Sequence, residues 1–321
     1  MTHLLGAVPC APGALRPGRL QPGMTIGVVA PSSALRDSRL EPGMEALRAR
    51  GYRVVTGDHL YDQHGYLAGL DRLRAADVTA MFARSDVDAV FCARGGYGAI
   101  RLLDWIDWDV VRAHPKPFVG FSDITTLHLA LERAAGLVSF HGPMVVNLGG
   151  DLSETARDCF WRMLERAEPF GIYDTSGAAI RTLVGGKAEG RLAGGCLSIC
   201  QAAVGSAEQP DFRGRLVLIE DVGEAAYKID RMLTHFRRSG LFEGAAGFIV
   251  GNATDWDKGL TRAPGINLEH VWREQLAPLG KPAIVGFPFG HEPNPLTLPL
   301  GCLARLDADA GTVEALEPAV A

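Results

Sequence analysis

Cysteine pairs, basic clusters and long apolar runs are what this sequence lacks, and each shortage removes a class of protein. The six cysteines, Cys10, Cys92, Cys159, Cys196, Cys200 and Cys302, are scattered over 321 residues with no C-x-x-C pair. Neither a disulfide framework nor a zinc site is expected from such spacing. Cys196 and Cys200 could share a helix face, but no His or Cys stands near them at ligand spacing, so they read as core thiols and no metal is expected. No segment approaches the roughly 18 to 20 continuous apolar residues of a spanning helix, which argues against a membrane protein. The net charge of −5 and the absence of any dense Lys/Arg run give no footprint for nucleic acid or an anionic membrane. A small-molecule or peptide ligand is the default that remains.

The first twenty residues contain no uninterrupted apolar core preceded by basic residues, so a secretory signal is not expected there. Residues 1–20 read as a loose extension and the protein as cytoplasmic.

Apolar residues make up 47% of the chain and charged residues 21%, the balance of an ordinary globular protein. At ~100 to 200 residues per domain the length implies about two domains. From Thr25 onward short β-branched runs alternate with helix-period runs. "TIGVVA", "YRVVTG", "VDAVFCA" and "PFVGF" read as strands. "RLEPGMEALRARG", "DRLRAADVTAMFAR", "YGAIRLLDWI" and "DITTLHLALERAAG" read as helices. That alternation predicts an α/β fold with a parallel sheet covered on both faces, its ligands outside the carboxyl ends of the strands, where the turns after Ala30, Ala93 and Phe121 converge. The Gly- and Ala-rich stretch after the helix in "DLSETARDCFWRMLERAEP" reads as a link. The expected division is therefore 21–167, a linker at 168–188, and 189–321. The second half mixes strands and helices and closes with two or three antiparallel strands that turn at Asp309-Ala310-Gly311.

The glycine turn in "ARGGYGAIRLL" follows a strand and opens a helix, where a dinucleotide phosphate would sit, but Arg101 stands where the fingerprint needs a third small residue. No G-x-x-x-x-G-K-[ST] occurs either, and no cofactor is expected. Backbone N–H groups in such a turn serve equally as an oxyanion hole.

In "GFSDI", Gly120 lies two residues before Ser122, as a sharp nucleophile turn needs, but Ile124 replaces the second glycine of the hydrolase elbow. From these residues alone Ser122 is either a helix N-cap or a nucleophile. A nucleophile needs a base and an acid. Among the nine histidines, His3 lies in the extension, and His128, His235 and His270 fall inside helical patterns. His141 and His291 each follow a strand, and the glycines and prolines around His291 make a stiff loop suited to a catalytic side chain. Glu220 and Asp221 stand at the carboxyl end of the very apolar "LVLIEDV", where an unpartnered carboxylate would be costly. A salt bridge to Arg231 or Lys228 is the plainer reading of that acid.

Seven blocks in order, "IGVVAPSS", "CARGGYGAIRLL", "FVGFSDITTLHLAL", "HGPM", "GRLAGGCLS", "LVLIEDVGEAAYKIDRML" and "GFPFGHEPNPLTLPLG", together resemble the LD-carboxypeptidase family of serine peptidases. The family includes murein tetrapeptide carboxypeptidases and a microcin-immunity carboxypeptidase. The resemblance runs from about Leu20 nearly to the C-terminus. It implies an N-terminal domain resembling class I amidotransferases, a smaller mixed C-terminal domain and an active site between them. It places the family's nucleophile on Ser122, its acid on Glu220 and its base on His291. It implies that the backbone N–H groups of Asp123 and Gly96, with Gly95 as the alternative to Gly96, hold the oxyanion. Asp123 and Asp221 would then act mainly through capping and ion pairs.

For substrate, the resemblance implies a peptide with a terminal D-amino acid, D-Ala of a recycled murein tetrapeptide on the murein branch, or a peptidyl-nucleotide antibiotic on the microcin branch. "RGGYGAIRLL" and the short "TDWDKGLTRAPGIN" connection resemble the murein branch more. The family also suggests a homodimer. A non-catalytic binding module would need a triad member missing, and none is. An amidotransferase-like cysteine enzyme would need a cysteine at the turn, where Ser122 stands.

Overall fold

The structure is a computed structural model that describes residues 14–36, 38–255 and 266–321. It falls into two compact units. The first runs through Glu168 and takes in Thr297–Gly301 and Pro318–Ala321; the second comprises Pro169–Leu296 and Cys302–Glu317.

The first unit follows the expected alternation. In chain order it holds β1 (Thr25–Val29), α1 (Leu40–Ala49), β2 (Arg53–Thr56), α2 (Asp71–Ala83), β3 (Ala89–Cys92), α3 (Trp108–Ala113), β4 (Phe118–Gly120), α4 (Thr125–Ala135), β5 (Ser139–His141), α5 (Val145–Leu148) and α6 (Glu154–Glu165). The order across its sheet is β12-β5-β4-β3-β1-β2, where β12 is the late strand Leu298–Leu300. Every pairing is parallel except that of β12 with β5. All five residues of β1 and all four of β3 are buried, as in a sheet covered on both faces. Phe91 of β3 meets Phe160 of α6 edge-on at 5.8 Å, and Phe82 of α2 stacks on Phe118 of β4 at 6.1 Å. Each such pair contributes about 0.5–1.5 kcal/mol beyond its buried area.

The second unit holds β6 (Gly171–Ile172), β7 (Arg181–Val184), β8 (Lys187–Cys196), α7 (Leu197–Ala202), β9 (Arg215–Val222), α8 (Ala226–Arg238), β10 (Gly247–Thr254), α9 (Leu268–Leu276), β11 (Ala283–Val285), β13 (Leu303–Asp307) and β14 (Thr312–Ala315). Its eight-stranded sheet runs β6-β14-β13-β8-β9-β10-β11-β7. Strands β8 to β11 are parallel, and antiparallel strands flank them on both sides. The buried rings of Phe212, Phe236, Phe242 and Phe248 pack between 4.9 and 6.0 Å apart beside this sheet. The chain is thus α/β, with a mainly parallel sheet in the first unit and a mixed sheet, parallel at its centre, in the second.

Several local expectations change. "YGAIRLLDWI" is not one helix: a 3-10 turn covers Ala99–Leu102, and α3 begins only after Asp107, whose side chain accepts the N–H groups of Asp109 and Val110 at 3.1 Å. A fresh N-cap restarts the helix there. Residues 168–188, expected as a link, contain β6 and β7, which extend the second sheet at its two ends. The closing segment does form three strands, but β12 pairs with β5 in the first unit while β13 and β14 pair in the second. Of the extension expected to be loose, residues 1–13 lie outside the described residues. Residues 14–20 are tied down: Leu15 N–H donates to the Gly136 carbonyl, the Leu15 carbonyl accepts the Val138 N–H, and Leu20 N–H donates to the Leu164 carbonyl at 2.8 Å. Most of the "TDWDKGLTRAPGIN" connection also lies outside the described residues. Among those described, no helix is long and apolar enough to cross a membrane.

Candidate active site

In the first unit, β4 ends at Gly120 and the chain turns sharply through Phe121 and Ser122. Ser122 has φ of +66°, the left-handed region that a non-glycine residue enters at a cost of roughly 1–2 kcal/mol. Residues held in such strain cluster at active sites and switch regions. The N-cap position of α4 belongs to Ile124, and Ser122 instead opens a one-turn 3-10 segment, so the N-cap reading of Ser122 does not hold. Gly120 is required for space: a Cβ there would come within 2.7 Å of Ile124 Cγ2.

The turn after β3 lies against this serine. A Cβ on Gly95 would stand 3.3 Å from Ser122 Oγ. Gly96 has φ of +118°, and a side chain on it would collide with Ser33 Oγ, which accepts the Tyr97 N–H at 3.0 Å. Only glycine satisfies both demands. The Asp123 carboxylate, almost fully buried, accepts Ser32 Oγ–H at 2.6 Å and the Ala99 N–H at 2.8 Å. Burial lifts its carboxyl above the usual range, against the lowering effect of those two bonds. Asp123 thus caps the Ala99–Leu102 turn and links the turns after β1, β3 and β4.

In the second unit, β9 delivers Glu220 and Asp221 to opposite faces, as strand alternation dictates. Glu220 is buried, and its Oε2 accepts from His291 Nδ1–H at 2.7 Å and from the His291 backbone N–H at 3.1 Å. Of the plainer partners, Lys228 goes elsewhere and pairs with Glu224 at 3.0 Å. Burial would lower the His291 pKa, but the bond to Glu220 and its charge outweigh it and hold the imidazole above its ordinary value. With Nδ1 donating to a carboxylate, Nε2 is the nitrogen left to accept a proton. Gly290 makes the approach possible. Its φ is +82°, and a Cβ would collide with the Glu220 carboxylate. Thr254 Oγ1–H donates to the His291 carbonyl at 2.9 Å, which ties the loop to β10.

Asp221 turns away from His291. It accepts the Ser198 N–H at 2.8 Å and the Ser198 hydroxyl at 3.3 Å, capping α7. Burial raises its carboxyl above the usual range despite these bonds. The other histidines singled out in the sequence sort as follows. His141 does not follow a strand but is the last residue of β5, buried, with its ring 5.9 Å from Phe121. His128 is buried in α4, its Nε2–H donating to the Gly120 carbonyl at 2.9 Å and its Nδ1 accepting from Ser139 Oγ at 2.8 Å, and burial drives its pKa down to about 3. His235 and His270 lie in α8 and α9. Cys196 ends β8 and Cys200 lies in α7, both buried with thiol pKa values pushed up by burial. No group of three metal-ligating side chains occurs among the described residues.

Sequence reading missed three residues at the turns, Ser32, Ser33 and Arg74. Arg74 had a signal: it shares the i, i+4, i+8 stripe of α2 with the buried Val78 and Phe82, where a charged residue is out of place.

Residues 26–142 match the LD-carboxypeptidase N-terminal domain, and residues 189–306 match the LD-carboxypeptidase C-terminal domain. The chain belongs to the LD-carboxypeptidase family. A Streptomyces coelicolor protein named as a carboxypeptidase is 40% identical, over 95% of this chain and 97% of its own. A Bacillus subtilis protein named a probable murein peptide carboxypeptidase is 38% identical, over 91% of each chain. The solved structure of an MccF-like protein from Bacillus anthracis matches the fold with a TM-score of 0.87 at 21% identity, covering 95% of this chain and all of its own. The muramoyltetrapeptide carboxypeptidase of Oxalobacter formigenes matches with a TM-score of 0.79 at 28% identity, over 91% and 97% of the two chains. As an LD-carboxypeptidase family member the chain is a peptide hydrolase of the serine type, and the fold read from its strand alternation is that of its family.

Proposed function

We propose that this LD-carboxypeptidase hydrolyses the L,D-peptide bond that holds the terminal D-Ala of murein tetrapeptide, with Ser122 as nucleophile, His291 as base and Glu220 as the acid that orients it. The observation that carries this reading is the 2.7 Å bond between His291 Nδ1 and the buried Glu220 carboxylate. It fixes the imidazole tautomer and leaves Nε2 to work. The strained backbone of Ser122 adds support.

In the proposed reaction Ser122 Oγ attacks the carbonyl carbon while His291 Nε2 takes its proton. The oxyanion accepts the N–H groups of Gly96 and Asp123. Collapse expels the amine of D-Ala, which receives the proton from His291, and water then hydrolyses the acyl-serine by the same relay. Glu220 stabilises the imidazolium in both halves. The murein branch is favoured because the Bacillus subtilis and Oxalobacter formigenes relatives carry murein peptide names. The Bacillus anthracis likeness bears on the fold alone. A place in cytoplasmic cell-wall recycling and a homodimeric state belong to the same reading.

Incubation with murein tetrapeptide should release free D-Ala, and release should persist in EDTA. Cleavage of an aminoacyl-sulfamoyl nucleotide with no D-Ala release would favour the microcin-immunity branch instead. Loss in EDTA that zinc restores would replace the serine mechanism with metal-activated water.

A further inference from the structure

Arg74 is the most deeply buried cation among the described residues of the first unit, with no exposed side-chain surface. Its Nη2–H donates to Asp71 Oδ1 at 2.5 Å, and Asp71 also holds Arg101 at 2.8 Å. Its Nη1–H groups face the Gly98 carbonyl at 3.2 Å and, more closely still, the Pro31 carbonyl. Pro31 lies in the turn after β1, and Gly98 closes the turn after β3. A guanidinium stays charged even where burial lowers its pKa, as it does here. Burying one is costly, and an aliphatic side chain on this stripe would pack α2 without that cost.

The two carbonyls explain its place. A peptide unit is planar, so holding the Gly98 carbonyl also sets the direction of the Ala99 N–H. That N–H is received by Asp123 Oδ2 at 2.8 Å. The Gly98–Ala99 peptide is therefore gripped at its oxygen by a buried cation and at its nitrogen by a buried carboxylate. The turn after β1 is gripped likewise, through the Pro31 carbonyl and the Ser32 hydroxyl. Asp123 follows Ser122, and the held turn contains Gly96, so both N–H groups assigned to the oxyanion stand on backbone set by this pair of charges.

We propose that Arg74 is a positioning residue of the hydrolysis, acting through the Gly98–Ala99 peptide and Asp123 to aim the oxyanion donors; the inference rests on reading Ser122 as the nucleophile. A donor aimed at the oxyanion matters in the transition state and little in the ground state, so the effect belongs in kcat. Removing one such donor costs about 10²–10³ in kcat, and misaiming it should cost part of that.

The test measures D-Ala release from murein tetrapeptide by Arg74→Lys and Ser122→Ala, with thermal midpoints recorded alongside. Arg74→Lys keeps a charge but cannot reach both carbonyls in one plane. It should lose roughly 10- to 100-fold in kcat with KM within about twofold, and its affinity for a phosphonate tetrahedral analogue of the scissile bond should fall by the same factor. A lower thermal midpoint with wild-type kcat per folded molecule would make Arg74 fold support only and overturn the proposal. If Arg74→Lys does not fold, Asp71→Asn frees one anchor of the same guanidinium from a partly exposed position. A kcat fall of about two- to tenfold at constant KM then supports the proposal, and wild-type kcat overturns it. Ser122→Ala separates the two layers. If it still releases D-Ala, the nucleophile reading itself fails; if it is inactive while Arg74→Lys turns over normally, only the positioning inference fails.

Discussion

At Ser122 the chain holds a side chain by backbone strain at the end of a strand; at His291 it holds one by hydrogen bonds in a loop without regular structure. The serine turn is braced by covalent neighbours and close packing: Gly120 beneath Ile124, Gly95 against the serine, and Asp123 tied to two other turns. The histidine loop leans on residues far away in sequence: Glu220 receives both the ring and the backbone N–H of His291, and Thr254 holds its carbonyl. The difference teaches that one side chain is placed by backbone strain and close packing and the other by long-range hydrogen bonds, the one to its ring coming from a charged partner. The turn should therefore tolerate loss of its own side chain, whereas the loop should respond to changes in its partner.

The sharpest way to break that comparison is at the two reacting groups. Ser122→Ala and His291→Ala should each reduce kcat by roughly 10⁴–10⁶, with the double variant no slower than either, because members of one catalytic unit are not additive. Ser122→Gly should be equally inactive yet more stable by about 1 kcal/mol, since glycine enters the left-handed region freely. A Ser122→Gly protein that melts lower than wild type would show that the turn is not strained.

Glu220→Gln comes next, with an expected kcat loss of ~10²–10⁴ and little change in melting temperature. Its pH profile carries a sign. The base must be neutral to accept a proton, and His291 titrates above the ordinary imidazole value, so kcat/KM should rise with pH through a limb above that value. Removing the Glu220 charge leaves burial as the dominant influence, and the limb of Glu220→Gln should move to lower pH. A limb that stays put or moves up would sever the loop from its acid.

Gly290→Ala tests the loop without touching a charge. It forces a left-handed backbone on alanine and drives a methyl into the Glu220 carboxylate, so it should cost at least ~1–2 kcal/mol of stability and most of the activity. The smallest effect on rate is expected at Asp221→Asn. It weakens the cap on α7 and should lower stability by about 1 kcal/mol while leaving kcat within a few-fold of wild type. A slow but stable Asp221→Asn would exchange the roles of the two neighbouring acids.

Strand alternation in the first half was readable because each buried parallel strand is a continuous apolar run between helix-period stretches, and β1 to β4 fall on the runs expected. Glycine made β8 hard to read: Gly190 and Gly194 weaken its strand pattern, yet a Cβ at either would run into the backbone of β9 or its lead-in turn. The glycines are the condition for that close pairing, not a sign of a loop. "YGAIRLLDWI" misled in the other direction, because helical spacing cannot reveal that Asp107 restarts the chain.

By itself the sequence determined the residue types and their order: a serine two residues after Gly120, an acid at the end of a buried strand, and a histidine in a rigid loop. These are covalent facts, and their spacing along the chain is enough to show the family. Only the tertiary structure decided which of two adjacent acids faces His291, that Ser122 is strained and does not cap α4, and that Arg74 grips two turns from within. Those outcomes depend on which side of a strand or helix each side chain leaves, and on contacts spanning up to 71 residues. Strand register and the packing of distant turns set such contacts, and no local pattern contains them.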